Sequence, residues 1–499
     1  MKIKKLINNF SDSGKTLSQR VVRGGFWVFL LRITERAFSL IRLVILARIL
    51  SPNDFGLMGI ALLTMATLDT FSQTGFQQAL IQKKKDIKSY LDSAWTVLIL
   101  RGFILFAILY FIAPYTATFF NAPEAKPIIQ AIGFAVLFQA FTNIGVIYFQ
   151  KELEFNKQFI YQLSGTLADF VVAISAALIL KSVWALVFGL LARNFVQMVI
   201  SYFIHPHRPR PWLEWENARE LYVFGRWILG SSALGFLAIQ GDDIFVGKVL
   251  GVTALGLYQM AFRLSNLPAT EITGVISQVT FPAYSKLQDN IPKLRVAFLK
   301  TFEVTSATAL PLTAGILILS PELTRLFLGE KWMPMVPALQ LLSLSGLILS
   351  LVAVGGPLFW GVGQPRIGFW MNIIRVGVMA AVIYPLTAIF GIIGAAVTVL
   401  LGICATIPIF VKTSLNITGV SFSDLWKRFY PSLTGTIVMS LLISFAMMVF
   451  SQTRMSVFFG IVVLGVFSYL GFCYGIWKIF GIGPVHTIHQ VLSTKRSEI

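Results

Sequence analysis

Arg32, Glu35, Arg36 and Arg42, near the start of the chain, have the make-up of an anion site. Arginine donates two parallel hydrogen bonds from a planar fork and stays charged at physiological pH, which suits a phosphate or pyrophosphate. A carboxylate three residues after Arg32 and seven before Arg42 can orient either guanidinium. At about 100° per residue these four, with Ser39, fall within an arc of roughly 120° on one helix. The rest of Gly24–Leu50 is dominated by Phe, Leu, Ile, Val and Ala, apart from Arg48 near its end. A charge at mid-membrane costs about 2.5–3.5 kcal/mol on insertion scales, so the stripe must face a bundle interior or a wet cavity. The plainer alternative is a closed network of salt bridges.

Other charges lie in apolar surroundings. Asp69 and Asp169 are candidate carriers of a coupling proton or sodium ion, set against simple polar packing. Arg101, Arg193, Glu303 and Arg375 stand singly and are best explained by structural pairing, whereas Arg48 and Lys248 lie where they can snorkel to an interface. No catalytic set is present: there is no HExxH, CxxC or serine elbow, and Gly14-Lys15-Thr16 lacks the earlier glycine of a phosphate loop. The four histidines (His205, His207, His486, His489) form no metal motif, and Cys404 and Cys473 give no ligand spacing. No cofactor or metal is expected, and the chain reads as a transporter rather than an enzyme.

The elements that must hold these residues are membrane helices. Of 499 residues 56% are apolar and only 13% charged, against about 25% in soluble domains. Mean hydropathy is +0.76. About fourteen apolar stretches, each near the 20 residues that span a bilayer, are predicted at 22–50, 54–80, 91–114, 127–149, 157–180, 183–204, 222–250, 253–282, 296–320, 335–361, 367–389, 391–412, 430–450 and 456–479. Numbering from a cytoplasmic N-terminus puts roughly 27 basic residues in inner segments and about five outside, which places both termini in the cytoplasm. That bias absorbs most of the net charge of +19, so no nucleic acid need be invoked. The expected organisation is a basic N-terminal segment 1–21, an N-lobe 22–204, a connector 205–221, a C-lobe 222–412, a second connector 413–429, a helix pair 430–480 and a tail 481–499. Trp212 and Trp215 are placed at headgroup depth, and Tyr284–Lys300 is read as a further connector.

A shift of 200 residues exposes an internal repeat: LARILSPNDFGLMGIA lies over VGKVLGVTALGLYQMA. Gly25, Trp27, Gly56, Thr70 and Gln78 meet Gly225, Trp227, Gly256, Thr270 and Gln278. Six spans separate the copies, so both halves cross with the same polarity, the parallel arrangement of transporters with two rocking lobes. The fold class is thus an all-α polytopic membrane protein: two six-helix lobes related by a pseudo-two-fold repeat, plus two C-terminal helices. Arg42 superposes on Asp242, which suggests a gate between Arg42 and Asp242 or Asp243 that an anionic substrate competes open.

ARILSPNDFGLMGIALLTMA (Ala47–Ala66), QKELEFNK (Gln150–Lys157), FPAYSKLQDN (Phe281–Asn290) and LGEKWMPMVPALQLL (Leu328–Leu342) together resemble the oligosaccharide flippases of Wzx type, closest to the colanic-acid exporter branch of the multidrug/oligosaccharidyl-lipid/polysaccharide exporter superfamily. The resemblance covers nearly the whole chain. It implies a bacterial inner-membrane protein that moves undecaprenyl-pyrophosphate-linked oligosaccharide to the outer leaflet for capsule, exopolysaccharide or O-antigen synthesis. It also implies a polymerase and export machinery as partners; the protein itself is expected to act as a monomer. In the related lipid II flippases, first-helix arginines recur with five residues between them, as Arg36, Arg42 and Arg48 do here. Their eighth-helix arginine, in an ADRLxxLP context, resembles Arg263 in AFRLSNLP. The likeness implies pyrophosphate contacts at Arg36, Arg42 and Arg263, to which the stripe adds Arg32. Where that branch has a second-helix arginine, this chain has Asp69. The apolar pair 430–450 and 456–479 is implied to wall a groove for the polyprenyl tail.

A multidrug antiporter of the same superfamily is the main alternative; it would have twelve spans and a cavity suited to cations. A membrane glycan polymerase or ligase would need a large outer loop with paired Arg or His, and none is present.

Overall fold

The computed structural model describes residues 17–72, 88–212, 214, 235–450, 454–480 and 483–484. Several expectations lie outside these residues: most of segment 1–21, Gln78, Lys83, Lys84, Lys85, Trp215, Gly225, Trp227 and nearly all of the tail 481–499. Among the described residues there is no strand.

In chain order the main helices are α1 Leu17–Ile49, α2 Pro52–Phe71, α3 Lys88–Phe119, α4 Ala125–Ala140, α5 Phe155–Leu180 and α6 Trp184–Ile204. Next come α7 (235–250), α8 Val252–Ser265, α9 Leu267–Leu287, α10 Ile291–Leu323, α11 Val336–Ala353 and α12 Arg366–Phe390. The last four are α13 Ile392–Cys404, α14 Ile407–Thr418, α15 Phe422–Val449 and α16 Met455–Phe480. Ten described helical segments are long and apolar enough to cross a membrane, or eleven if one bent pair counts as a span. This is a multi-pass membrane protein. Helix α1 is outside that count because its charged stripe lowers its hydropathy, although its 33 residues exceed the length required.

Three predicted stretches are resolved differently. The single span 127–149 is broken: α4 ends at Ala140 and is followed, after a bend of 70°, by Ile144–Lys151. Asn143 makes the corner, its side chain accepting from the Gly145 amide at 2.8 Å and donating to the His207 carbonyl at 2.7 Å. The connector 413–429 is mostly helical. Only residues 419–421 separate α14 from α15, because Gly419 supplies a left-handed turn (φ 65°) and Ser421 starts α15 with a capping box closed by Asp424. Tyr284–Lys300 likewise contains only a short break, with the Asn290 side chain accepting from the Lys293 amide at 3.2 Å as α10 begins. Charged residues in these stretches sit on amphipathic turns at helix ends; the polarity alone had suggested loops.

The chain forms two compact units: Met1–Phe236 with Gly251–Gly256, and Leu237–Leu250 with Leu257–Ile499. In the first unit α2 opens on a capping box of Ser51 and Asp54, with Pro52 at its first turn. Asp54 also accepts from the Val183 amide at 2.9 Å. The 200-residue register is visible in this unit's packing. A Cβ on Gly56 would overlap the carbonyl oxygen of Val252, and a Cβ on Gly256 would overlap that of Pro52. Thr253 Oγ1 lies 3.3 Å from Asn53 Oδ1. Each residue's partner is therefore the repeat equivalent of the other residue's partner.

The segment after α6 is strapped to the start of α3. Trp212 donates its amide to Thr96 Oγ1 at 3.0 Å, Arg210 donates to Asp92 at 3.1 Å, and Glu214 donates to Ser93 at 2.9 Å. His207 Nε2 lies 3.3 Å from Asp92, and the His205 ring stacks on Tyr148. Burial first, and then His207, Lys157 and Arg208, hold the His205 imidazole below its ordinary pKa, with Glu154 opposing.

Two outcomes follow from this packing. Gly56→Ala should lower the melting temperature of the purified protein by several degrees, whereas Gly25→Ala, with nothing within 4 Å, should leave it unchanged. A depressed imidazole favours the folded state above its unfolded value of about 6.5, and that contribution is lost as pH falls through the folded value. Relative to the intrinsic exchange rate at each pH, the protection of amides 207, 208, 210 and 212 should therefore fall on acidification from pH 7 to 5 more in wild type than in His205→Gln.

Candidate functional site

The stripe on α1 is graded in depth: Arg32 is exposed, Glu35 and Arg36 are half-buried, and Arg42 keeps only 19% of its side chain accessible. Arg42 Nη2 lies 2.8 Å from Asp169 Oδ1 on α5. The pair fits because α6 presents Gly189 to it; a Cβ there would overlap Asp169 Oδ1 and come within 3.2 Å of Arg42 Nη2. The Arg42 Nε–H is buried and has no acceptor among the described residues. Four residues toward the exposed end, Arg193 of α6 approaches Glu35 at 4.0 Å, and the Thr166 hydroxyl of α5 reaches Glu35 at 3.5 Å. Three helices of one unit thus surround a guanidinium that has one carboxylate and a donor to spare.

Asp69 is held differently. Arg101 of α3 grips its carboxylate and its carbonyl, together with the hydroxyl and carbonyl of Ser72 at 2.8 and 2.9 Å, so this charge caps the end of α2. Its carboxylate remains half exposed.

The second unit has its own cluster. Asp242 and Asp243 are almost fully buried on α7. Tyr258 donates to Asp242 Oδ2 at 2.6 Å, and Gln259 donates to Asp243 Oδ2 at 3.3 Å. The Arg375 guanidinium of α12 lies within electrostatic reach of Asp242 and Tyr258. Each unit thus brings opposite charges together from two of its helices: α1 and α5 in the first, α7 and α12 in the second. The polarity is reversed: Arg42 faces Asp169 in one, Asp242 faces Arg375 in the other. Arg263 lies exposed on α8.

The structure therefore supplies Arg42 with a carboxylate from within its own unit, Asp169, where the repeat had suggested Asp242 or Asp243. Glu35 meets Arg193 rather than only its neighbours on α1. The single charges expected to pair do so: Arg101 with Asp69, Arg193 with Glu35, Arg428 with Glu303 at 2.8 Å, and Arg375 beside Asp242. The contributions of Tyr258, Thr166 and Gly189 had no sequence signal beyond their place in an apolar span.

A largely buried guanidinium on a long helix of a multi-pass membrane protein narrows the class, and comparison with known proteins fixes the family. Residues 45–337 match the family described as "Polysaccharide biosynthesis protein". The chain belongs to that family. It is 26% identical over 434 residues to the lipopolysaccharide biosynthesis protein WzxC of Escherichia coli (strain K12), covering 85% of this chain and 87% of that protein. It is 25% identical over 369 residues to the succinoglycan biosynthesis transport protein ExoT of Rhizobium meliloti (strain 1021), with 74% of each covered. The fold is similar to that of lipid II flippase MurJ in an inward closed conformation, at a TM-score of 0.70 and 14% identity over 90% of this chain and 98% of that one.

Removing one partner of a pair this buried leaves the other uncompensated, at a cost of roughly 3–5 kcal/mol. Asp169→Ala and Arg42→Gln should each destabilise the protein clearly, and the double variant should cost at least about 1 kcal/mol less than their sum. Unfolding of the purified protein followed through the full cycle measures this; strict additivity would mean that the two residues are uncoupled.

Proposed function

We infer that this protein is a flippase that carries polyprenyl-pyrophosphate-linked oligosaccharide from the inner to the outer leaflet of the bacterial inner membrane, for surface polysaccharide synthesis. The observation that carries this reading is Arg42: a largely buried guanidinium, balanced by a single carboxylate, with a buried Nε–H still to satisfy. A pyrophosphate diester, with one negative charge on each phosphorus, accepts from two guanidinium donors at once and outcompetes one carboxylate there. Arg36 and Arg32, higher on the stripe, and Arg263 on α8 complete the proposed pyrophosphate contacts. Glu35 orients the stripe. Relatives named for lipopolysaccharide and succinoglycan biosynthesis support the substrate class.

The full architecture proposed is fourteen spans, as two six-span lobes and a C-terminal pair with both termini cytoplasmic, working as a monomer by alternating access. A ligand shifts such an equilibrium only through differential affinity, so the arginines must hold the pyrophosphate more tightly facing inward than outward. Phosphate binding draws Arg42 away from Asp169, and a carboxylate in an apolar wall that loses an opposite charge gains affinity for a small cation. A proton or a sodium ion taken up there would couple transport to an ion gradient. Asp69 is the weaker second site for that role because Arg101 already neutralises it.

Deleting the gene should abolish surface polysaccharide and accumulate lipid-linked units inside the cell. Against that background Arg42→Ala should lose about two orders of magnitude of rescue, since two charge-assisted hydrogen bonds at roughly 1.5–3 kcal/mol each are removed. Arg42→Lys should keep part of it. The double variant Arg42→Ala/Asp169→Asn separates folding from binding: it should reach the membrane in normal amount and still fail to rescue. Full rescue by either would show that Arg42 does not hold the phosphate.

A further inference from the structure

At the basic end of the second unit, α10, α11, α14 and α15 enclose a cavity of about 220 Å³ with no polar surface in its wall. Phe302, Leu351, Ile407, Phe410, Leu425 and Phe429 contribute to the lining. Phe302, Phe410 and Leu425 also belong to the unit's buried core, so the cavity is built into fixed walls. Two ion pairs brace it: Arg428, next to Phe429, meets fully buried Glu303, next to Phe302, at 2.8 Å; Arg295 meets Asp424, next to Leu425. Water is a poor occupant, because a buried water needs two to four polar partners and apolar cavities of about 150 Å³ stay dry and take up benzene instead.

The rim says what does enter. Phe422 and Trp426 line the cavity yet keep 64% and 51% of their surface exposed, which opens it sideways from α15. Trp426 has the amphipathic character of residues at headgroup depth. Lys412 follows lining residue Val411, Lys427 follows Trp426, and both are exposed. An apolar slot flanked by a tryptophan and two free-standing lysines matches a lipid whose chain enters the slot and whose negative headgroup meets the lysines. The volume admits a segment of one acyl chain.

We propose that this cavity is a binding site for an anionic glycerophospholipid of the inner leaflet rather than for the transported lipid. Occupancy links α14 to α15 and stiffens the basic end of the unit.

The test uses the full-length protein, purified and exchanged into vesicles of phosphatidylglycerol and phosphatidylcholine, then delipidated stepwise and weighed by native mass spectrometry. Wild type should retain phosphatidylglycerol through steps that strip phosphatidylcholine. Val411→Trp, which fills the slot, should lower that retention at least about tenfold; should it misfold, the smaller filling change Leu351→Phe decides. Lys412→Gln/Lys427→Gln should keep a bound lipid but erase the preference for phosphatidylglycerol. Undiminished retention in a folded slot-filled variant, an unchanged preference without the lysines, or displacement of phosphatidylglycerol by polyprenyl phosphate added at equal amount would each overturn the proposal.

Discussion

Charge has no tolerable resting place in hydrocarbon, and the interior of this protein is arranged around that constraint. Arg42 on α1 is acceptable only because α5 brings Asp169 to it and α6 thins to a glycine at the same level. Replacing the pair with apolar side chains of similar volume would cost little or even stabilise the fold. A buried pair kept under such conditions is better explained by a task than by stability. The task proposed above is to hold a guanidinium in readiness without leaving it bare.

The same solution appears twice with the signs exchanged. Asp242 on α7 accepts from Tyr258 and lies near Arg375 on α12, as Arg42 on α1 lies against Asp169 on α5. Each unit thus brings opposite charges together from two of its helices. The arginine copy suits an anion. The aspartate copy has a phenol and an amide as its close donors, each to an Oδ2 atom, while both Oδ1 atoms take no hydrogen bond from the described residues.

Much of this was legible in the sequence, for physical reasons. Apolar runs broken by Pro, Gly and charge marked the helices, and an arginine inside such a run is costly enough to be a reliable signal. The repeat was legible because Gly56 and Gly256 sit where two backbones touch, and no other residue fits such a contact. Partner choice was not legible. The repeat aligns Arg42 with Asp242 because they occupy equivalent places in two units; equivalence is not proximity, and the neighbour comes from packing of α1 against α5, 127 residues away. That residues 413–429, read as a connector, are helical on both sides of 419–421 was not legible either: the helical pattern there is too short to outweigh its polarity.

The reversed pairs have an electrical consequence. Carrying one elementary charge through the membrane field changes the energy by about 2.3 kcal/mol per 100 mV. Because Arg42 travels with Asp169 on helices of a single unit, any rearrangement of that unit displaces a compact dipole. This pair then adds almost no net charge movement of its own when that unit rearranges, whatever the cell's voltage.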